Sequence, residues 1–159
     1  MTDSKLLDAQ YGVEKGMTSL AAALAGGNLI YESAGMMAAL LGVSFEGFVI
    51  DNDMHAATYR ILRGIEVTDA ALDVGAMADT ILGEGHFLGS AETIAAMERD
   101  YVYPTLADRD APEAWETTGA QEIWDRARAR VDEILATHHP EYLTPDQDAE
   151  IKRRFGVVA

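Results

Sequence analysis

GGNLIYESAG, residues 26–35, interrupts a chain whose other hydrophobic periods are helical. The two glycines end a preceding helix, predicted from about Leu6 to Leu24, and the short apolar run Asn28–Tyr31 follows them. A glycine-bounded apolar run with a polar loop behind it is typical of a buried strand. Helix, glycine pair, strand and polar loop together predict a unit of an α/β fold. One strand makes no sheet alone, so we expect a predominantly α-helical chain with one or two short strands.

Capping residues mark where the later helices begin. Ser44 and Ser90 are predicted N-caps, because a serine hydroxyl accepts a hydrogen bond from the first-turn backbone N–H groups. Thr144 and Gln147 form a predicted capping box, with Pro145 at the first helical position. The predicted helices are Ser44–Arg63, Thr68–Leu82, one begun by Ser90, a short one from Pro112, 120–137, and Thr144–Phe155.

Apolar residues at helical spacing predict which helix faces are buried. The inward positions of the helices after Thr68 and Ser90 are Val74, Met77, Ala78, Ile81, Ile94, Met97 and Tyr101. One face of the helix after Ser44 carries Phe45, Phe48, Val49, Asn52, Ala56, Tyr59 and Leu62. From Thr68 onward we therefore expect helices that pack on another part of the structure rather than an independent domain.

Charge and composition exclude several classes of protein. The chain has 12 Lys and Arg residues against 27 Asp and Glu residues, a formal net charge of −15. A nucleic-acid binder needs a basic face to meet phosphate, so nucleic acid is not an expected partner. The absence of cysteine excludes disulfides, thiolate catalysis and thiolate metal sites. The most apolar stretch, Met17–Ile30, is shorter than the about 20 residues of a membrane span. We therefore expect a cytoplasmic protein with no membrane partner.

Several short motifs occur along the chain in a specific order. None is specific alone, but their order and spacing together resemble the C-terminal part of the trimethylamine methyltransferase family. The loop GEGHFLG, residues 83–89, carries one of them between two predicted helices. The matched motifs are Thr2–Lys5, Asp8–Gln10, Asn28–Tyr31, Phe48–Asn52, Leu62–Val67, His86–Gly89 and Tyr101–Pro104.

The resemblance implies a fold and an activity. It implies that residues 1–67 are the last helix and strand units of an incomplete (α/β)8 barrel, and that residues 68–159 are a helical C-terminal extension. The family moves a methyl group from a methylated amine, trimethylamine or a betaine-like compound, to a corrinoid protein. The corrinoid is then carried by that partner and not bound directly by this chain. A (β/α)8 barrel typically needs about 250 residues, so we expect the 159-residue chain to be inactive alone.

The sequence leaves two alternatives open, a fragment of a methyltransferase and a stand-alone protein. In the family, the position that can hold pyrrolysine lies just upstream of the segment resembling Thr2–Lys5, so a natural split product and a truncation at an amber codon both fit. Such a chain needs an N-terminal barrel segment or a second copy of itself to cover its apolar surface. The other alternative is a stand-alone helical interaction protein without catalytic activity.

The candidate substrate site begins with Glu32 and Tyr31. Glu32 follows the predicted strand, and barrel active sites form at the C-terminal ends of strands. A carboxylate there holds a quaternary ammonium by charge, and the Tyr31 ring adds a cation–π face. A strand-end glutamate in solvent is an equally good interpretation. No catalytic residue is predicted.

Three further residues are candidates for substrate binding near the C-terminal ends of the barrel strands, which we call the mouth of the barrel. Asp8 and Gln10 lie at the start of the first helix, where they either orient substrate or suit the positive end of the helix dipole. His86 is either an acid–base or hydrogen-bonding group, or a packed histidine in a glycine turn.

Asp51 and His55 have a spacing that suits metal chelation. They are four residues apart in a predicted helix and would share one face. No third ligand and no HExxH motif accompany them, so no metal site is predicted.

Overall fold

The structure is a computed structural model that describes residues 1–156. It is mostly helical with one two-stranded sheet, which confirms the predicted balance of helix and strand. The elements are α1 (Ala9–Leu24), β1 (Met36–Met37), β2 (Gly42–Val43), α2 (Phe45–Arg63), α3 (Val74–Leu82), α4 (Ala91–Asp100), α5 (Pro112–Thr117), α6 (Ile123–Thr137) and α7 (Pro145–Phe155).

The strand predicted at Asn28–Tyr31 is wrong. This segment is irregular, and the side chains of Leu29 and Tyr31 are 87% and 78% exposed. Glu32 follows with a positive φ of 59°, which turns the backbone out of an extended path. A strand is stable only with a hydrogen-bonded neighbour, and the part of the chain that the structure describes offers this segment none.

The strands that do form lie directly downstream. β1 and β2 pair antiparallel, with Met36 opposite Val43 and Met37 opposite Gly42. The turn between them includes three successive non-glycine residues with positive φ, at Ala38, Ala39 and Leu40. The N-terminal segment holds this turn, because the Ala38 N–H donates to the Ser4 carbonyl at 2.9 Å and the Ala39 N–H to the Thr2 carbonyl at 3.2 Å.

Most predicted helix starts are confirmed. The Ser44 and Ser90 hydroxyls accept hydrogen bonds from the backbone N–H groups of Gly47 and Thr93, and the Thr144 capping box forms. The first helix begins at Ala9 with Asp8 as its N-cap. The short helix predicted from Pro112 forms, and the helix predicted over 120–137 forms from Ile123, with Glu122 as its N-cap.

The helix predicted to begin at Thr68 begins later. Its N-cap is Asp73, whose side chain accepts a hydrogen bond from the Ala76 N–H. Thr68 instead closes a separate turn, in which its hydroxyl and carbonyl accept hydrogen bonds from the Ala71 and Leu72 N–H groups. Two residues that both favour the cap position therefore divide the predicted helix into a turn and α3.

The core lies where α2 packs between α1 and α6. The buried apolar side chains there and around it are Tyr11, Met37, Leu106, Ala127 and Val131. The predicted inward faces of α3 and α4 are wrong, because neither helix has a buried residue among those described. The predicted apolar face of α2 is also wrong, since Phe45 and Tyr59 are exposed while Gly47 and Asp51 are buried.

Within residues 1–156, no helix combines the length and the apolar character that crossing a bilayer requires.

Candidate functional site

The N-terminal segment is fastened to α1 by a polar network. The Glu14 carboxylate accepts the Thr2 hydroxyl at 2.7 Å and the Asp3 N–H at 2.8 Å. Gln10 donates its side-chain amide to the same carboxylate at 2.8 Å. The motif at residues 2–5 is therefore held against the first helix by side chains that the helix itself supplies.

Asp8, a predicted substrate residue, belongs to this network as a helix cap. Its carboxylate accepts the Tyr11 N–H at 3.0 Å and the Ser4 hydroxyl at 2.8 Å. These bonds, the one from Tyr11 first, hold the pKa of Asp8 below its ordinary value. Asp8 and Gln10 thus lie close together at the start of α1, and each side chain forms hydrogen bonds with other residues of this network.

A buried polar cluster joins α1 to α2 behind this network. The ammonium of Lys15 lies 3.0 Å from Oδ2 of Asp51, and both side chains are at most 1% exposed. The Tyr11 hydroxyl donates to the same oxygen at 2.7 Å, and the Gly35 N–H donates at 2.8 Å. Lys15 also donates to the Met36 carbonyl at 3.3 Å. One carboxylate oxygen therefore connects α1, α2 and the segment before β1.

The cluster also affects the pKa of Tyr11 and leaves no space for a side chain at position 47. Burial, and then the hydrogen bond to Asp51, raise the pKa of the Tyr11 hydroxyl well above its ordinary value. A side chain at Gly47 would place its Cβ 2.7 Å from the Tyr11 hydroxyl, so α2 approaches α1 closely only because this residue is glycine. The sequence contained a weak signal for the cluster, since Tyr11 and Lys15 are four residues apart on a helix otherwise short of charge.

Asp51 and His55 serve different partners and do not converge on one ion. Asp51 binds Lys15, whereas Nε2 of His55 lies 3.1 Å from the Ser33 hydroxyl. Among the described residues, no group of three His, Asp or Glu side chains is arranged to hold a metal.

A cleft of about 220 Å³ opens between α1, α2 and the segment that follows α1, and we call it the α1–α2 cleft. Ser19 on α1, Ser33 and His55 supply polar groups to it. The Ser19 hydroxyl is buried and has no hydrogen-bond partner within residues 1–156. The other lining residues are Ala23, Gly27, Asn28, Leu29, Ile30, Thr58, Tyr59 and Leu62.

Tyr31 and Glu32 lie between two residues that line this cleft, Ile30 and Ser33. Their own side chains are exposed to solvent. They are therefore neighbours of the cleft and lie outside its lining. Within the described residues, no hydrogen bond or ion pair joins them to Asp8 or Gln10.

His86 lies apart from these residues. It is exposed in the loop between α3 and α4, where Gly85 has a positive φ of 78°. The shallow groove beside it is lined by Asp79, Thr80, Glu84 and Ser90, with glycines 83 and 89. The structure therefore places His86 between two helices, exposed rather than packed, and no hydrogen bond within residues 1–156 holds its imidazole.

Two carboxylates that the sequence patterns did not single out, those of Asp53 and Asp100, connect α2 to the segment around residues 99–107. Asp53 accepts the Thr105 N–H and hydroxyl at 2.8 and 2.9 Å, and the Leu106 and Ala107 N–H groups at 3.3 Å. Asp100 lies 3.2 Å from the Arg60 guanidinium and 3.1 Å from that of Arg63. These contacts bring the motif at 62–67 next to the motif at 101–104.

The comparison with known proteins decides the family. The model of the trimethylamine methyltransferase family matches residues 1–155. This chain belongs to that family. A glycine betaine methyltransferase of Desulfitobacterium hafniense (strain Y51) is 32% identical over 96% of the chain and 31% of its own length. The trimethylamine methyltransferase MttB2 of Methanosarcina mazei is 36% identical over 99% of the chain and 30% of its length.

Another trimethylamine methyltransferase, MttB of Desulfitobacterium hafniense (strain DCB-2), is 36% identical over 89% of the chain. The chain spans 28% of that relative. It therefore spans less than a third of the methyltransferases it matches, and the similarity concerns that portion of the family.

Proposed function

We propose that this chain serves as the C-terminal portion of an amine methyltransferase that moves a methyl group from trimethylamine or a betaine-like compound to a corrinoid protein. The observation that carries this proposal is the family match over residues 1–155, together with relatives named for trimethylamine and for glycine betaine. In the proposed assembly, residues 1–67 complete an (α/β)8 barrel and the later helices pack outside it.

The exposed apolar side chains support such an assembly. Leu29 is mostly exposed, as are Leu41, Ile65 and Leu82, which lie on different parts of the chain. Apolar surface of this extent is typical of an interface. The barrel proposal supplies a partner for it, and it also supplies the neighbouring strands that Asn28–Tyr31 would need to become one.

Glu32 and Tyr31 are the proposed holders of the substrate cation. Transfer of a methyl group from nitrogen is easiest when the nitrogen is positively charged, so the site must hold a cation. An exposed carboxylate and an exposed aromatic ring next to each other provide charge and a cation–π face.

Asp8, Gln10 and His86 have secondary parts in the proposal. Asp8 and Gln10 are already bonded to Ser4, Tyr11 and Glu14, so their role is to fix the start of α1 beside the mouth. His86 is exposed on its glycine loop and would close the mouth in the assembled barrel.

The proposal leaves the corrinoid on its partner protein and assigns none of its ligands to this chain. The α1–α2 cleft, at about 220 Å³, is too small for a corrin macrocycle, because it is smaller than the pockets of about 300 to 1,000 Å³ that hold drug-sized ligands.

The role of Glu32 is tested in a chimera of the glycine betaine methyltransferase from Desulfitobacterium hafniense, in which this chain replaces the 152 matching residues. We expect Glu32→Gln to weaken glycine betaine binding by about tenfold, as for a lost charge-assisted contact. Glu98→Gln is the matched control, since Glu98 is an exposed glutamate on α4. Equal affinity of the two variants, measured by calorimetry, would remove Glu32 from the site.

A second candidate, a helical interaction protein without catalysis, is favoured by the same exposed apolar surface. The two functions make different predictions for the chimera. An interaction protein would give a chimera that binds partners but does not demethylate glycine betaine, whereas the methyltransferase proposal requires turnover.

A further inference from the structure

We propose that residues 68–97, which we call the α3–α4 arm, dock a partner protein through an amphipathic helix of that partner whose apolar face is bordered by Lys and Arg. The arm contains α3, α4 and the segments next to them. The inference concerns only residues after the proposed barrel portion, and it does not depend on the proposed methyl transfer.

The α3–α4 arm is exposed over its whole length. None of its residues is buried, four are partly covered and all the others are exposed. Three residues beyond its end, Asp100 pairs with Arg60 and Arg63 in the last turns of α2. The arm is therefore fastened near its base, while the core formed by α1, α2 and α6 leaves its two helices uncovered.

Both helices of the arm carry an apolar stripe. Val74, Met77 and Ile81 lie at helical spacing on α3, Ile94 and Met97 lie three residues apart on α4, and each is between 46% and 73% exposed. Helices of 9 and 10 residues are marginally stable in water and depend on the packing of such a face. We therefore expect the two stripes to be covered when the protein is bound to its partner.

The charge of the arm has one sign. It contains no Lys or Arg, and its acidic residues are Asp69, Asp73, Asp79, Glu84 and Glu92. Within residues 1–156, only Glu92 among them forms an ion pair, with Arg99 just beyond the arm. Opposite charges across an interface favour association, and like charges placed together oppose it. The charge therefore favours a partner surface rich in Lys and Arg.

A second copy of this chain does not provide such a surface. It would bring an identical acidic arm, and the rest of the chain also contains more acidic than basic residues. Like-charge repulsion between two copies would therefore oppose the contact. A partner of different sequence and opposite charge fits the arm better.

The shape of the stripes favours a helix as the docking element. From Val74 to Ile81 the α3 stripe runs over two turns, about 10 Å. A partner helix with apolar residues at positions i, i+3 and i+7 presents a stripe of the same length. Met77 and Met97 have flexible thioether side chains that adapt to the surface placed against them. Lys and Arg on the borders of the partner stripe would then meet the acidic residues of the arm.

Three fluorescent peptides test the two parts of this proposal. The first has a Leu face bordered by Lys, the second has the same Leu face bordered by Glu, and the third keeps the Lys residues but has Gln in place of Leu. In anisotropy titrations with the full chain, we expect the Leu–Lys peptide to bind at least about tenfold more tightly than either of the others. Equal binding by another peptide, or no binding of the Leu–Lys peptide, would overturn the proposal.

Ile81→Ser tests whether the peptide binds at the arm. We expect this variant to weaken binding of the Leu–Lys peptide by about tenfold, because the contact loses a buried apolar side chain. Leu135→Ser is the matched control, since Leu135 on α6 is 57% exposed and Ile81 is 54% exposed. Equal affinities of the two variants would contradict binding at the arm.

Asp79→Asn tests the charge while leaving the apolar stripes intact. We expect it to weaken binding of the same peptide by about threefold at low salt, with a smaller effect at high salt, as for an exposed ion pair. Asp132→Asn, at an exposed position of α6, is the control. An equal effect of the two substitutions would contradict a role for the charge of the arm.

The chimera with the glycine betaine methyltransferase of Desulfitobacterium hafniense separates the other possible occupants. If the barrel portion covers the arm, the Leu–Lys peptide will not bind the chimera. If a second copy covers it, the peptide will bind only as it dissociates the dimer, which light scattering detects. We expect the peptide to bind the chimera without changing its mass, and either other result would overturn the proposal. Methyl transfer by the chimera is measured separately, so failure of this proposal is distinguishable from failure of the proposed function.

Discussion

Lys15 and Asp51 form a fully buried ion pair 3.0 Å apart that links the first helix to the second. The Tyr11 hydroxyl and the Gly35 N–H complete the hydrogen bonding of the Asp51 oxygen that faces Lys15. This buried pair joins α1 to α2, and it is costly to break from one side.

Lys15→Met tests this relationship. The variant leaves Asp51 buried without its counter-charge, so we expect a loss of about 3 to 5 kcal/mol in the free energy of unfolding, measured with urea. Lys152→Met is the control, because the ion pair of Lys152 with Asp148 is half-exposed and worth about 0 to 1 kcal/mol. Similar losses in the two variants would show that the buried pair does not hold the helices together.

Asp53 gives the fold a dependence on pH. Partial burial opposes ionisation, but hydrogen bonds from Thr105, Leu106 and Ala107 outweigh it and hold the pKa of Asp53 below its ordinary value. A carboxyl with a lowered native pKa stabilises the fold above its unfolded pKa of about 3.9, and this contribution disappears as the pH falls through the native pKa.

We therefore expect Asp53→Asn to unfold at a lower temperature than the parent chain at pH 7, with the difference shrinking below about pH 4. Asp132→Asn, at an exposed position of α6, is the control and should show little difference at either pH. A difference for Asp53→Asn that persists unchanged at pH 2 would rule out its ionised carboxylate as the cause.

Self-association is the expected behaviour of the purified chain. Leu41, Ile65 and Leu82 are 90%, 89% and 85% exposed, and such side chains favour burial against another copy when no other partner is present. The net charge of −15 opposes this association, so salt should promote it. We expect light scattering to give a mass above that of the monomer, rising toward about 1 M salt. A monodisperse monomer under both conditions would contradict this.

Local interactions explain which parts of the fold were predictable. Ser44, Ser90 and the Thr144–Gln147 capping box act within a few residues, and each begins a helix where the sequence indicates. Asn28–Tyr31 could not be judged in the same way, because a strand depends on a neighbour distant in sequence. The helix start predicted at Thr68 is wrong because Asp73, a competing N-cap, lies close downstream.

The candidate site likewise depends on contacts between residues distant in sequence, which local patterns did not predict. The buried side of α2 is set by Lys15 and Tyr11 of α1, and Tyr11 bonds Asp51 across 40 positions of sequence. Hydrophobic periodicity within α2 therefore predicted that its apolar face is buried, whereas packing against α1 buries Gly47 and Asp51 instead. The roles of Glu32 and Tyr31 in substrate binding stay predictions.

Methyl transfer by the chimera with the glycine betaine methyltransferase of Desulfitobacterium hafniense tests the central proposal most directly. The chimera and the 159-residue chain alone are each mixed with glycine betaine and reduced corrinoid protein, and methylation is followed by the corrinoid absorbance. We predict turnover by the chimera and none by the chain alone, because the described residues form no barrel. A folded chimera without turnover, or turnover by the isolated chain, would contradict the proposal.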